Sequence, residues 1–591
     1  MTARHPSWRL ALGASLALSL SLSIPAAAEE EENPLGQDPS NVIPLIGAEP
    51  IDLLGPASGV LSGQAWLMAA GGGDPGAAAV ADADQLLGPG LGVEASSSRT
   101  QAAGAGAPVP FRDPGPAFSR NILVTRDFGQ SPFQTEPHIE ANPDDPEHLV
   151  LGVIDYAFPS MSAYVSFDGG ERWEGPNQVP YLLKDLGAGG DPVVAFDREG
   201  NVYMNFISIG IDEFNLGPIE VAAQVSSIAV ARSEDDGFTW PTQISSARSR
   251  VDTDGLETDR FGRLRGIVDL SFLDKPWMAI GPHPDEPETD VIYVTYTNFD
   301  ISYEILYIGE IPNLLPTEMR TSIELVKSED GGRTWTDPVA VSPVVRRAYG
   351  ERGDDTGSAG VFGTLRVVQG SQPEVTADGT VHVAWMDSTD DDSQEGIGEI
   401  QVASSTDAGD TWTDPVVASV FNEVEFRPRT ASFRFWASSF PQIASGPDGE
   451  VYISYVGRPS DKPNDDGDVF LIKSLDGGAT WDRPTVLNDD DTDRVQMFPS
   501  IDAGPDGTVH VMWGDMRDDP TQIRYHIYYS RSDDSGETFG FTNEDLGLTV
   551  GDTRVTDFAS NANFAFPGGR FIGDYFTITA TEDDVHMACL L

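Results

Sequence analysis

The chain has 591 residues, and its 94 acidic and 36 basic side chains give a formal net charge of −58. A field of that sign repels nucleic acids and anionic membrane surfaces, so we expect neither as a partner. Cys589 is the only cysteine, which excludes an intramolecular disulfide and a zinc–thiolate site.

The first 28 residues predict a secretory signal peptide. Two arginines precede an apolar run from Leu10 to about Pro25, and three alanines then supply the small residues that a signal peptidase needs. This run contains several serines and is short for a span of roughly 20 apolar residues, so a membrane anchor is the less favoured reading. We therefore expect a protein that is secreted, periplasmic or at the cell surface and does not span the membrane.

Residues 29–118 predict a disordered leader. The stretch is rich in Gly, Ala, Pro and acidic residues, and it shows no sustained hydrophobic period. Such a composition buries too little apolar surface to offset the entropy lost on ordering. The short apolar pieces at residues 43–46 and 65–68 are the only candidates for docking segments.

From residue 119 to residue 591 the pattern changes to an all-β one. Short runs of Val, Ile, Tyr, Trp and Phe alternate with Gly, Asp and Pro turns. Six copies of the pattern Ser-x-Asp-x-Gly-x-x-aromatic, the Asp-box, each follow a strand-like run: Ser166–Trp173, Ser233–Trp240, Ser328–Trp335, Ser405–Trp412, Ser474–Trp481 and Ser532–Phe539.

Each Asp-box predicts a hairpin turn. The Asp side chain accepts hydrogen bonds from backbone N–H groups of the turn, and the glycine two positions later permits a positive φ. The closing aromatic residue packs against the neighbouring strand. The aspartates are therefore expected to be structural: Asp168, Asp235, Asp330, Asp407, Asp476 and Asp534.

A pair of strands precedes the strand-like run that leads into each Asp-box. One unit therefore consists of three strands, the Asp-box turn and a fourth strand. Four-stranded units in series are the blades of a β-propeller. Six complete units and half of another predict seven blades, and Asn121–Thr125 is the candidate strand that completes the last blade and closes the ring. Six blades followed by a hairpin are the alternative.

The six Asp-boxes resemble those of the sialidase/neuraminidase superfamily, also called bacterial neuraminidase repeats. The resemblance implies a propeller fold, and in the enzymes of the family it implies three arginines, a tyrosine nucleophile with a glutamate, and an aspartate acid/base. The family's first arginine lies in an Arg-Ile-Pro motif on the first inner strand. Here that strand reads EPHIEANP (Glu136–Pro143), and the nearest similar string is FRPR at Phe426–Arg429.

Four arginines precede inner strands, where they are candidates for a cluster at the mouth of the channel: Arg366, Arg434, Arg494 and Arg570. Such a cluster would bind an anionic ligand, because the guanidinium group makes two parallel hydrogen bonds to a carboxylate. Pairing of each arginine with a surface acid is the alternative that we favour.

The residues before the inner-strand prolines form a second candidate set: Glu136, Asp191, Lys275, Gln372, Phe440 and Phe498, with Asp574 at the matching position of the last copy. In a ring these residues converge near the axis, and Glu136, Asp191 and Asp574 are predicted to line one side of the channel as acid/base groups or cation ligands. The competing interpretation gives them a role in capping turns.

No metal or cofactor is predicted. Two runs of three aspartates, at residues 390–392 and 489–491, suggest calcium. Their spacing does not match a calcium loop, however, and a solvated acidic surface explains them better.

The sequence favours a propeller that binds a glycan, an extracellular protein or a polymer at the channel mouth, and an exo-sialidase with a diverged site is the alternative. It does not decide whether the protein is an enzyme, and it gives no oligomeric state.

Overall fold

A computed structural model describes residues 43–44, 121–125, 133–216, 219–348, 367–388, 396–424, 440–462, 464–543, 548–561 and 572–590. The regular elements in these ranges are all strands. No helix in the described ranges is long and apolar enough to cross a membrane. The predicted signal peptide lies outside the described residues, and so does the predicted leader apart from residues 43–44.

The first three blades follow each other along the chain. Blade 1 contains β2 (Gln134–Asn142), β3 (Asp145–Asp155), β4 (Met161–Ser166) and β5 (Glu174–Val179). Blade 2 contains β6 (Gly187–Phe196), β7 (Val202–Leu216), β8 (Ile219–Ser233) and β9 (Thr242–Arg248). Blade 3 is built on β13 (Ile267–Pro282), β14 (Asp290–Ile308) and β15 (Ile311–Ser328).

Short strands extend blade 3. Its outer strand β15 pairs with β1 (Ile43–Pro44), β16 (Val339–Ala340) and β17 (Val345–Ala348). Its inner strand β13 pairs with β10 (Val251–Asp252), and β11 (Glu257–Thr258) and β12 (Leu264–Arg265) form a separate hairpin. Residues 43–44 of the predicted leader therefore pair with a strand of blade 3.

The next three blades repeat the same order of strands. Blade 4 contains β18 (Val368–Val375), β19 (Val381–Asp387), β20 (Ile397–Ser405) and β21 (Val416–Asn422). Blade 5 contains β22 (Gln442–Ser445), β23 (Val451–Gly457), β24 (Asp468–Ser474) and β25 (Thr485–Val486). Blade 6 contains β26 (Gln496–Ala503), β27 (Val509–Asp515), β28 (Arg524–Ser532), β31 (Thr553–Arg554) and β32 (Ser560–Asn561).

Two hairpins complete the described strands: β29 (Phe541–Asn543) with β30 (Leu548–Val550), and β33 (Thr577–Ala580) with β34 (Val585–Ala588). The second strands of blades 4, 5 and 6 are buried along their whole length: β19, β23 and β27. A strand packed on both faces reads as a continuous apolar run, which explains sequences such as VHVAWMD.

The Asp-boxes form the turns between the third and fourth strands, as predicted. In the sixth copy, Ser532 Oγ donates to Asp534 Oδ1 (2.7 Å) and accepts from Gly536 N (2.8 Å). The backbone N–H and the hydroxyl group of Thr538 also donate to Asp534, and together with Ser532 they lower the pKa of this carboxyl to about 2. The glycine has φ of 73°, in the left-handed region.

Hydrogen bonds from side chain to backbone connect neighbouring inner strands. In three blades, the first residue that pairs again after the bulge has a polar side chain, and this side chain accepts a hydrogen bond from a backbone N–H of the next inner strand. Thr577, at the start of β33, does the same. The four pairs are His138 Nδ1 with Val194 N (3.3 Å), Gln372 Oε1 with Ile443 N (3.3 Å), Ser500 Oγ with Ile578 N (3.2 Å) and Thr577 Oγ1 with Ile139 N (2.8 Å).

The fold is a β-propeller of six four-stranded blades, and the prediction of seven blades is wrong for the described residues. The chain after blade 6 contributes only the hairpin β33–β34, which contacts both β26 and β2 and so lies between blades 6 and 1. Residues 121–125 form no strand, although Asn121 exchanges hydrogen bonds with Asp557. The alternative of six blades with a hairpin agrees with the structure.

Candidate functional site

A β-bulge recurs at one position of the inner strands. The pairing register slips there in β2, β6, β13, β18 and β26. Four of the bulged residues are not glycine and have positive φ: Glu136 (51°), Asp191 (54°), Lys275 (53°) and Phe498 (48°). All four precede a proline, which normally holds the preceding residue in an extended conformation. This conformation costs on the order of 1–3 kcal/mol per residue, and strain of this kind clusters at functional sites.

The bulges bring together the three predicted carboxylates. One oxygen from each of Glu136, Asp191 and Asp574 lies within 4.8 Å of the other two. Glu136 Oε2 also accepts a hydrogen bond from Asp191 N (3.1 Å). These residues come from β2, from β6 and from the segment before β33. The segment leading into the hairpin β33–β34 therefore supplies one of the three carboxyl groups.

Lys275 is the counter-ion of this cluster. Its ammonium group contacts Asp574 directly and lies 3.7 Å from Asp191 Oδ1. The relative exposure of the four residues is 5% or less. The predicted convergence of Glu136, Asp191 and Asp574 therefore occurs in the structure, and a lysine from blade 3 joins it. We name these four residues the axial cluster.

Gly573 allows the close approach of the hairpin to β2. Its φ is 99°, and a Cβ at this position would lie 3.0 Å from both Cγ and N of Glu136. Any larger residue would push Asp574 away from Glu136. The Gly573-Asp574 pair is thus shaped by contact with β2.

The other side of the ring is apolar. Phe498 occupies the bulge of β26 and packs edge-on against Phe576, with ring centroids 5.0 Å apart. Phe440 lies under the ammonium of Lys275, 5.6 Å from its nitrogen to the ring centroid. In blade 4 the bulged residue is Gly370, with φ of 69°, so the sequence alignment that put Gln372 at this position is wrong by two residues.

Burial and charge shift the pKa values in the axial cluster. Burial, and then the negative charge of Asp191, raise the pKa of Glu136 well above its usual value. Burial alone would lower the pKa of Lys275, but Asp191, Asp574 and Glu136 raise it above its usual value. Lys275 therefore keeps its positive charge, and Glu136 holds its proton more tightly than a free glutamic acid does.

Aromatic side chains lie next to the axial cluster. Trp277 makes edge contacts with His138 (5.3 Å between centroids) and with Tyr575 (5.1 Å). The hydroxyl of Tyr575 donates to the carbonyl oxygen of Pro192 (2.9 Å). Burial lowers the pKa of His138 to about 3, so its ring is neutral and accepts the N–H of Val194. Neither polar ring is free to act on a ligand.

A second set of carboxyls lies further along the inner strands. Glu140, Glu374 and Asp502 occupy equivalent positions of β2, β18 and β26. Burial is the main cause that raises their pKa values, to about 8, about 7 and about 6 respectively. Each accepts a hydrogen bond from the neighbouring strand: Glu140 from Thr579, Glu374 from Ser445, and Asp502 from Ala580 N.

Only one of the four predicted arginines lies within the described residues. Arg366, Arg434 and Arg570 lie outside them, as does the FRPR string. Arg494 is described, and its guanidinium donates to the backbone carbonyl of Arg517. The prediction of an anion site at the channel mouth therefore stays a prediction.

One of the two acidic runs considered for calcium forms ion pairs with an arginine. The guanidinium of Arg517 lies 3.1 Å from Asp489, 3.5 Å from Asp490 and 2.8 Å from both Asp515 and Asp552. Its plane also lies 4.1 Å from the ring centroid of Tyr528. Asp489 and Asp490 are thus part of an ion-pair network around the largely buried Arg517, and the run at 390–392 lies outside the described residues.

Sequence reasoning did not find the role of Lys275 or the second set of carboxyls. Lys275 stood in the row of residues before the inner-strand prolines, but its side-chain partners come from two other strands. Glu140 and Asp502 each lie three residues after such a proline, whereas Glu374 lies one residue after its proline because the bulge in β18 is displaced. An alignment of the inner strands on their bulged residues, instead of on their prolines, places Glu140, Glu374 and Asp502 at the same position.

No protein-family model and no curated protein matches the chain. It is similar to solved structures that include a Hadza microbial sialidase, with 16% identity over 76% of this chain and 72% of that one and a TM-score of 0.34. The NanB sialidase of Streptococcus pneumoniae has 11% identity, 73% and 78% coverage, and a TM-score of 0.36. An α-L-arabinofuranosidase of Fusarium graminearum has 12% identity, 68% and 94% coverage, and a TM-score of 0.36.

Proposed function

We propose that this protein is an exported propeller that binds the end of a glycan chain at the axial cluster. The observation that carries the proposal is the division of the bulge ring into two chemically different sides. Glu136, Asp191, Asp574 and Lys275 form a charged side, and Phe440 and Phe498 form an aromatic side. Sugars present hydroxyl groups and an apolar ring face, so they match acceptors and donors on one side and aromatic rings on the other.

The burial of the cluster restricts the ligand to something small. Each of the four charged residues is at most 5% exposed, so only a small part of a ligand, such as one terminal sugar or a single substituent, could reach them. Strained backbone supports the same reading, because four non-glycine bulges hold their side chains in conformations that these residues disfavour.

The charge of the cluster favours a ligand without acidic groups. Three carboxyl groups face one ammonium group, so a carboxylate on the ligand would be repelled unless protons were taken up. A neutral sugar or an amino sugar suits this balance better than sialic acid does. The exo-sialidase alternative would depend on Arg366, Arg434 and Arg570, which lie outside the described residues.

A glycan array tests the proposal. Full-length protein is applied to neutral, amino-sugar and sialylated glycans, next to the variants Glu136→Gln and Asp191→Asn. Binding to neutral or amino-sugar termini that both variants lose would support the proposal. As a charge control, Glu582→Gln with Asp583→Asn changes two exposed acids in the turn of the β33–β34 hairpin and should bind like the wild type.

Two results would count against the proposal. One is glycan binding that Glu136→Gln and Asp191→Asn leave unchanged, because the site would then lie elsewhere. The other is selective binding to sialylated glycans with turnover of a fluorogenic sialoside, which would favour the sialidase alternative.

A further inference from the structure

The three carboxyl groups of the axial cluster have the spacing of an oxygen-ligand metal site. Oxygens that lie within 4.8 Å of one another have a common centre no more than about 2.8 Å from each of them, close to the calcium–oxygen range of about 2.3–2.6 Å. Magnesium is usually bound through only one or two carboxylates and keeps several of its waters, so three converging carboxylates suit calcium better. Because all three ligands are carboxylates, a hard cation suits them better than zinc or copper.

Two buried oxygens in the cluster have no hydrogen-bond partner among the described residues. They are Glu136 Oε1 and Asp574 Oδ1, on residues that are 0% and 2% exposed. A buried carboxylate oxygen without a donor is costly, and native proteins rarely leave one unpaired. These two oxygens are therefore an observation, independent of the acidic composition, that points to a missing cationic partner.

We propose that Glu136, Asp191 and Asp574 bind one divalent cation of the calcium class. With all groups ionised, three negative charges face the single positive charge of Lys275. A divalent cation offsets the remaining two negative charges and gives both unpaired oxygens a ligand role. Waters would complete the six to eight oxygen ligands that calcium prefers.

Lys275 competes with the cation for the same carboxylates. Its ammonium contacts Asp574 and lies 3.7 Å from Asp191 Oδ1, so it occupies part of the space in which the cation would bind. The same ammonium lies 5.6 Å from the centre of the Phe440 ring, within the range of a cation–π interaction. We infer that the lysine moves toward Phe440 when the cation binds.

The position of the site gives the cation a structural role. Its ligands belong to blade 1, to blade 2 and to the segment before the hairpin β33–β34. The hydrogen bond from Tyr575 to Pro192 joins this segment to blade 2 across 383 residues of sequence. A cation bound there connects the beginning of the propeller to its end. The cation and the proposed glycan would share these carboxylates, so cation binding and glycan binding in EDTA are measured separately to distinguish the failure of one proposal from the failure of the other.

Terbium luminescence tests the site. Full-length protein is stripped with EDTA and titrated with Tb³⁺, which takes calcium sites and emits when Trp277 and Tyr575 nearby are excited. The expected result is one saturable site that Ca²⁺ displaces, above a background of weak binding by surface acids. Glu136→Gln should weaken this site by about tenfold or more, because a charged ligand is lost.

Lys275→Met provides the opposite prediction. Removing the competing ammonium should strengthen Tb³⁺ and Ca²⁺ binding by about tenfold or more. The same variant should show a larger rise in unfolding temperature on addition of Ca²⁺ than the wild type shows. The control Glu582→Gln with Asp583→Asn should leave the saturable site unchanged.

Two results would overturn the proposal. In the first, Glu136→Gln binds Tb³⁺ as tightly as the wild type, or no saturable site exists in either protein. In the second, Lys275→Met binds the ion no more tightly than the wild type. A glycan that binds normally in EDTA would leave the proposed function intact and would show that the cation is not needed for it.

Discussion

Replacing Glu140 by glutamine should stabilise the protein at alkaline pH and leave its stability nearly unchanged at acidic pH. Glu140 is half-buried on the first inner strand, where Oε1 accepts a hydrogen bond from Thr579 Oγ1 (3.2 Å). Burial, and then the charge of Asp502, raise the pKa of Glu140 from 4.5 to about 8. Glutamine keeps the acceptor oxygen and removes the charge.

The direction of the pKa shift decides at which pH Glu140→Gln stabilises the protein. A carboxyl whose pKa is raised in the folded state holds its proton more tightly there than in the unfolded chain. Its favourable contribution is complete below pH 4.5 and is lost as the pH rises through about 8. A shift of this size corresponds to about 5 kcal/mol if it is fully realised. Because water reaches a half-buried carboxylate, we expect about 2 kcal/mol.

Urea unfolding followed by tryptophan fluorescence measures the effect at pH 5 and at pH 9. We expect the two proteins to unfold at the same urea concentration at pH 5 and Glu140→Gln to unfold at a higher concentration at pH 9. Glu582→Gln, in the exposed turn of the adjacent hairpin, should follow the wild type at both values. Equal differences at both pH values, or a less stable Glu140→Gln at pH 9, would refute the reasoning.

Two other substitutions test the turns and the ring closure by the same unfolding assay. Ser532→Ala leaves the buried N–H of Gly536 without its acceptor, so it should cost about 1–3 kcal/mol, and an unchanged stability would contradict the role given to the Asp-box serine. Thr577→Val keeps the shape of the side chain but removes the acceptor for Ile139 N, and we expect a loss of about 1–3 kcal/mol, against no change for the exposed control Thr242→Val. A loss no larger than that of the control would mean that Thr577 does not help to close the ring.

Sequence reasoning succeeded where the signal repeats locally. The Asp-boxes combine a side-chain acceptor, a glycine and an aromatic residue within eight positions, and the structure places all six at equivalent turns. Glu136 and Asp191 were found because each stands before an inner-strand proline. Repetition converts such a local coincidence into a position in the fold.

The remaining features depend on contacts between distant parts of the chain. The bulge of blade 4 lies at Gly370, two residues before the position that its proline predicts, and no sequence pattern indicates this displacement. The pairing of Lys275 with Asp574 joins positions that are 299 residues apart, and nothing near either residue indicates it. The last half unit was expected to become a blade by adding residues 121–125 to its two strands, but those residues form no strand.

A double-mutant cycle between Lys275 and Asp574 tests most directly the claim that ring closure assembles the axial cluster. Stability is measured for Lys275→Met, Asp574→Asn and the double variant in EDTA. We expect Lys275→Met to be strongly destabilising, since it leaves the buried carboxyl groups without their counter-ion. The double variant should be at least about 1 kcal/mol more stable than the sum of the two single effects predicts. Effects that add to within about 0.5 kcal/mol would show that the two residues do not meet.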